Sequence, residues 1–228
     1  MKKILVIICI LCLVLSISAC KKTVPVNLED NISYLETHLY FGESTKFSVS
    51  ITMGKKENVF IADGASSDLV EFATLRVTPL KMELFDNEYT FSLTGENGEM
   101  NGALEKDIFG VSFSYELTDI ATIGELMNIT VIYGESEDCR DTIELTNMLK
   151  DMLDWEDVLE IAKVEFADMI ASEMVEGNFP REIHIKYLNN RTLEDSPYYW
   201  YISFISTTSD YWALLLEPMS GAVVSKKS

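Results

Sequence analysis

The chain is 228 residues long, 47% hydrophobic and 11% aromatic, with 37 acidic against 18 basic side chains and a formal net charge of −19 at pH 7. Such a length supplies enough chain for one large or two ordinary cores. The acidic balance argues against nucleic acid as a partner and against attraction to anionic lipid or wall polymers, and it favours cationic or neutral partners.

In chain order the first element is a leader. Lys2 and Lys3 precede an apolar run from Ile4 to Leu15, and the small residues Ser16, Ser18 and Ala19 close it. This is the three-part plan of a secretory signal. The run is too short for a hydrocarbon core that needs roughly 20 apolar residues, and no later segment is longer. The junction Ile17-Ser18-Ala19-Cys20 resembles the lipobox of bacterial lipoproteins. The resemblance implies that residues 1–19 are a removable signal peptide and that Cys20 receives a diacylglycerol, a lipid anchor on the extracytoplasmic face of the cell membrane. An ordinary cleaved leader that happens to meet a cysteine is the alternative. Acyl chains at about 0.8 kcal/mol per buried CH₂ make such an anchor effectively permanent when two or three are present. Loss of Lys2 and Lys3 with the leader leaves 16 basic against 37 acidic side chains, a net charge of −21, so the mature chain is expected to project away from its anchor.

Cys9 and Cys12 lie in the leader and Cys20 is the acylation site, which leaves Cys139 alone and allows no internal disulfide. Its neighbours Glu137, Asp138 and Asp141 disfavour the thiolate, so Cys139 reads as an unreactive thiol, with a mixed disulfide to a partner as the alternative.

Residues 20–39 are expected to be the acylated cysteine and a tether, with His38 just before the first strand. Over 40–147 the pattern is that of strands. KFSVSITM alternates Phe47, Val49, Ile51 and Met53 against Ser48, Ser50 and Thr52, the period of a half-buried strand. Further runs follow at 57–62, 70–78, 88–94, 110–117 and 126–134, with turn residues between them, including Gly95 to Gly102. The pattern predicts an N-terminal antiparallel β sandwich whose solvent faces are rich in Ser and Thr.

From about Thr146 to Glu176 the period changes. Trp155, Val158, Leu159, Ala162, Phe166, Met169, Ile170 and Met174 recur at helical spacing and predict one long amphipathic helix, stopped by Gly177 and Pro180. Strands are expected over 181–188, 198–205 and 211–218, with a tail at 222–225, the second and third joined as a hairpin through Thr207 to Asp210. Residues 148–228 thus read as a helix packed on a small antiparallel sheet, and the whole chain as α+β, a mixture of β and α/β parts.

The order of helix, then YYWYISFI, then ALLLEPMSGAVVS, with Glu217 three positions before Ser220-Gly221 and Ala222 and Val223 following, resembles the small PepSY domain. Glu217 stands where that family more usually has aspartate, and no second copy is visible. The resemblance covers about the last 75 residues and implies an extracytoplasmic binding or peptidase-modulating role with no catalytic residues. Independently of the family, a tight turn after Pro218 requires Gly221 to take positive φ.

Pairing Ser206 with Tyr211 would group Trp200, Ile202 and Phe204 with Ala213 and Leu215, and Tyr199, Tyr201 and Ile205 with Trp212, Leu214 and Leu216. Both faces are then apolar and only one can take the helix. Tyr199, Tyr201, Trp212 and Leu214 are therefore the candidate binding residues, for a protein or peptide partner, a homodimer or a carbohydrate, unless the face packs on the β domain. His38 and His184 have no metal-ligand spacing to a second His or Cys, and no GxSxG motif accompanies them. The helix carboxylates and the cluster Glu135, Glu137, Asp138 and Asp141 read as solvated acids, the latter with loose Ca²⁺ binding as the alternative. No cofactor, metal or nucleic acid is expected. The functional expectation is a lipid-anchored binding or modulating protein without catalytic activity; a self-associating structural module of the cell envelope is the alternative, and a carboxylate-dependent hydrolase a third.

Overall fold

A computed structural model of the chain describes residues 27–58, 68–108, 110–189, 198–207 and 209–228. The leader, Cys20 and most of the strand expected over 57–62 lie outside the described residues. What is described is mostly β, arranged in two sheets with two short α-helices. Among the described residues no helix is long and apolar enough to cross a membrane.

The long sheet is organised around β1 (Ile32–Glu43). On one side β1 pairs with β2 (Phe47–Glu57), β2 with β3 (Leu69–Pro79), β3 with β7 (Phe113–Glu116) and β7 with β6 (Glu105–Lys106), all antiparallel. On the other side the N-terminal end of β1 pairs in parallel with β11 (Glu182–Asn189), through Ile32↔Ile183 and Leu35↔Ile185. Antiparallel strands β12 (Tyr198–Thr207), β13 (Asp210–Leu216) and β14 (Val223–Lys227) continue from there. Near its C-terminal end β1 instead meets β10 (Thr146–Asn147), at Tyr40↔Asn147 and Phe41↔Thr146. The second sheet has the order β5 (Gly98–Ala103), β4 (Thr90–Gly95), β8 (Leu126–Ile132), β9 (Arg140–Glu144).

Register carries two cores onto one face of the long sheet. Leu35 stands beside Lys55 and Ile185, and beyond a bulge at residues 36–38 Tyr40 stands beside Ile51. One core joins Phe47, Val49, Ile51, Leu75 and Val77 to Phe91, Leu93, Ile129, Val131 and Ile143 of the second sheet. The other joins Ile183, Ile185, Ile202, Phe204, Trp212 and Leu214 to Val158, Leu159, Ala162, Phe166 and Ile170. Each fully buried Leu, Ile, Val or Phe contributes about 1.5–3 kcal/mol over its exposed state.

The single long helix expected between Thr146 and Glu176 is corrected to two segments. Thr146–Asn147 is strand, and α1 (Trp155–Glu165) starts only where the Asp154 carboxylate accepts the Asp157 N–H at 2.9 Å. Phe166, at φ −110 and ψ 17, separates α1 from α2 (Ala167–Glu173) without a glycine or proline. Its ring packs 5.5 Å from Phe204 and 5.7 Å from Trp212, so the break accompanies tertiary packing, which overrides propensity here.

Other boundaries also move. β1 begins at Ile32, within the stretch expected as tether, and contains His38. By pairing with both β2 and β11 it places residues of the N- and C-terminal segments in one sheet. The glycine-rich stretch expected as a connection holds β5, turned back on β4 through Glu96 and Asn97. β9 follows Cys139 directly, inside the stretch read as an acidic loop.

Candidate functional site

The face of the long sheet opposite both cores carries a groove of about 500 Å³. Its floor follows from two alternations in register. Along β2 the outward residues are Ser48, Ser50 and Thr52; along β3 they are Phe72, Thr74, Arg76 and Thr78. Pairing sets Leu39, Thr52 and Thr74 in one cross-strand row, and Phe41, Ser50 and Arg76 in the next. Thr74 Oγ1 donates to Glu116 Oε1 at 3.0 Å from the neighbouring β7.

One end of the groove is built at a fork in the sheet. Beyond Leu35↔Ile185, β1 turns toward β10 while β11 continues with β12. The Tyr187 N–H points into the fork, and Glu36 Oε2 accepts it at 2.8 Å, while Tyr34 Oη donates to Glu36 Oε1 at 2.9 Å. A side chain thus supplies a hydrogen bond that a neighbouring strand would otherwise give. Glu36 is 9% exposed. Burial raises its pKa above the ordinary carboxylate value, opposed by the bonds from Tyr187 and Tyr34 and by the charge of Lys186. Burial, together with the Glu36 charge, raises the phenol pKa values of Tyr34 and Tyr187.

The bulge that creates the fork also requires Gly54, the partner of Glu36. A Cβ there would lie 1.9 Å from the Leu35 carbonyl oxygen. With no side chain at this position, the Tyr34 and Phe72 rings meet at 5.4 Å with an interplanar angle of 31°. Across the groove, Phe41 packs edge-on against Tyr198 at 6.2 Å.

The four candidate binding residues do not share a surface. In the observed hairpin Ile205 pairs with Tyr211, and an irregularity follows before Thr207↔Asp210. The register is one residue away from the expected one, and such a slip exchanges the faces of a strand. The expected grouping is therefore corrected: Trp212 and Leu214 lie with Trp200, Ile202 and Phe204 in the helix-facing core, at 4% and 0% exposure. Tyr199 and Tyr201 point the other way, with Tyr211, Ala213 and Leu215; Tyr199 is buried and Tyr201 half-buried. Trp212 is further held by Arg181, whose guanidinium lies 4.2 Å from the ring centroid and pairs with Glu173 and Asp210. Cys20 lies outside the described residues.

The Glu217-Ser220-Gly221 pattern forms a self-contained turn. Glu217 Oε2 accepts the Ser220 N–H and O–H, both at 2.6 Å, and the Met219 N–H at 3.1 Å, which lowers the Glu217 pKa. Gly221 takes φ +70, as the turn demands, and its Cα faces Ile161 and Leu153 beside α1. His184 is buried opposite Ile183 and Ile185, its Nε2 3.6 Å from Glu182 Oε1; burial, with a smaller contribution from Lys186, lowers its pKa to about 4. In the acidic stretch, Asp141 accepts the Ser44 hydroxyl at 2.5 Å, and Ser136 donates to Cys139 Sγ at 3.2 Å. Among the described residues no three His, Cys, Asp or Glu side chains are grouped to hold a metal ion.

The groove escaped the sequence because its far wall is β1, whose Ile32–Glu43 stretch alternates poorly: Thr37 and His38 fall at the bulge. The Ser/Thr rows of β2 and β3 were visible; Glu36 and Tyr34 carried no local signal. No protein-family model, curated protein or solved structure matches the chain.

Proposed function

We propose that this chain is a lipid-anchored extracytoplasmic bacterial protein that binds a ligand in the groove and performs no chemistry of its own. The observation that carries the binding role is the groove itself, where half-exposed aromatic rings, a row of hydroxyls, Arg76 and a buried carboxylate converge on one open face. Pockets of this size with a few fixed polar groups are the usual seats of ligands. The anchor is supported by the leader and the Ile17-Ser18-Ala19-Cys20 junction. On this proposal the facing sheets are a β sandwich, extended through β1 into a helix-backed unit that takes the PepSY-like role of presentation or modulation.

A second reading has its own support. Tyr201, Ile205, Tyr211 and Leu215 remain partly exposed on the face of β12 and β13 turned away from the helices, so self-association there would make the chain a structural envelope module.

Two measurements test these readings. Cys20→Ser releases the chain from the membrane fraction and abolishes acyl labelling; retention of both overturns the anchor. Amide chemical shifts recorded against fractionated envelope extract are expected to move at Ser50, Thr52, Thr74 and Arg76. Shifts confined to Tyr201, Tyr211 and Leu215 that grow with protein concentration favour self-association instead, and shifts at neither face reject binding.

A further inference from the structure

We infer that the groove on the outer face of β1, β2 and β3 takes a neutral saccharide, with sugar rings laid on Tyr34 and Phe72 and their hydroxyls met by the Ser/Thr rows, Glu36 and Arg76. The inference rests on the groove being the seat of binding and names its ligand class.

A sugar ring offers two chemistries at once: a face of C–H groups and a rim of hydroxyls that both donate and accept. The groove offers the complement of each. Tyr34 and Phe72, 5.4 Å apart and tilted by 31°, form a partly stacked aromatic pair at one end, with the Lys56 ammonium 5.0 Å from the Phe72 centroid. The ring surface left open suits an aliphatic ring face, and the lysine beside it can donate to a hydroxyl. Beyond it, Ser50, Thr52 and Thr78 supply hydroxyls, each able to donate once and accept twice, while Thr74, whose proton goes to Glu116, can accept. An ionised carboxylate accepts at about four positions, and Glu36 is given two bonds, from Tyr187 and Tyr34, so acceptor capacity remains at the groove wall. Arg76, opposite Ser50, adds donors from an exposed guanidinium.

The other ligand classes fit less well. Extended peptides bind sheets by adding to an edge, where backbone groups are open; at the groove floor β2 is flanked on both sides, β7 covers β3 over Thr74–Val77, and at the fork Glu36 takes the Tyr187 N–H. Anionic ligands meet a chain of net charge −19, with the carboxylates of Glu36, Glu43 and Glu116 on the same face as the groove floor against the two cations Lys56 and Arg76. A neutral, hydroxyl-rich ligand avoids that repulsion and still meets both the rings and the polar groups of the floor.

The test is calorimetric titration of the full chain, held in a polyoxyethylene detergent because a maltoside would itself compete. The probes are tetramers of glucose, mannose, galactose and N-acetylglucosamine, with polygalacturonate and a random decapeptide mixture as the anionic and peptide comparisons. At least one neutral tetramer is expected to bind, and Phe72→Ala to weaken it about tenfold, the scale of one lost stacking contact. Arg76→Ala, at an exposed position that tolerates change, is expected to weaken it by a smaller factor and covers the case in which Phe72→Ala fails to fold. Tyr201→Ala leaves binding unchanged. Saccharide binding that survives both groove variants overturns the inference, as does preference for polygalacturonate. Peptide binding lost with Arg76→Ala overturns the saccharide while keeping the groove as a binding seat; no heat from any probe removes both.

Discussion

The two ends of the long sheet bury the same face by different means, and the difference decides how each can be understood from its residues. At the β2–β3 end the strands pair over an unbroken register from Phe47↔Pro79 to Glu57↔Leu69 and are covered by another sheet. At the β12–β13 end the pairing slips between Ile205 and Thr207, and the cover is helical. Alternation identifies a face only when register is known. Where the register is regular, Val49 and Ile51 announce the core and Ser50 and Thr52 the surface. Where one residue is added at a turn, Trp212 leaves the face of Tyr201 for the core, and Ala213 and Leu215 take its place.

The largest expected effect uses that exchange. Trp212 sits among Phe166, Phe179 and Phe204 at 5.7, 6.0 and 5.8 Å, beneath Arg181. Trp212→Ala is expected to cost about 3–5 kcal/mol through the cavity it leaves and the loss of the stacked guanidinium. Tyr201→Ala, half-exposed on the opposite face, is expected to cost about 1 kcal/mol. Urea unfolding of both variants measures the gap. Equal costs would mean that the two residues share an environment, and the hairpin register would have to be the uniform one.

Gly54→Ala comes next and probes the seam where the two ends join. The added Cβ meets the Leu35 carbonyl, backbone that cannot swing aside as a side chain does, and the expected cost is about 1–3 kcal/mol. Because β1 serves both cores, the variant is expected to shift a single unfolding transition followed at Trp200 and at Tyr89 alike. Separation into two transitions would show that the ends fold as independent units, despite their common strand.

Much of this architecture was legible strand by strand. β2, β3, β4, β8 and the C-terminal strands follow residues whose alternation or apolar run is strong, and the turn at Gly221 follows from backbone sterics alone. What could not be read is contact between distant segments. The parallel pairing of Ile32–Leu35 with Ile183–Ile185 joins stretches some 150 residues apart, and no local period encodes it. The break at Phe166 reflects its aromatic neighbours, and β5, with Gly98 and Gly102, lacks the side chains that mark a strand. The groove inherits these gaps: its Ser/Thr floor was visible, whereas the fork that brings Glu36, Tyr34 and Tyr187 together exists only once β1 is placed.

The smallest expected effect concerns that fork. Since the folded pKa of Glu36 is raised above its unfolded value near 4.5, the native state holds a proton that the unfolded chain has released in the window just above 4.5. Stability therefore falls as pH rises through that window, and the cost persists at neutral pH. Glu36→Gln keeps an acceptor for the Tyr187 N–H and removes the ionisation, so its stability relative to the parent is expected to rise between pH 4 and pH 7. His184 acts in the opposite sense: lowered to about 4, it is neutral in the fold, and its contribution, complete above 6.5, is lost as pH falls toward 4. That loss is common to both proteins and cancels in their difference, which denaturant titrations at the two pH values measure directly. A relative loss for Glu36→Gln at pH 7 would mean that the charged carboxylate, held by Tyr34 and Tyr187, stabilises the fork more than burial opposes it. The seam would then be an electrostatic joint in a sheet otherwise held by apolar cover.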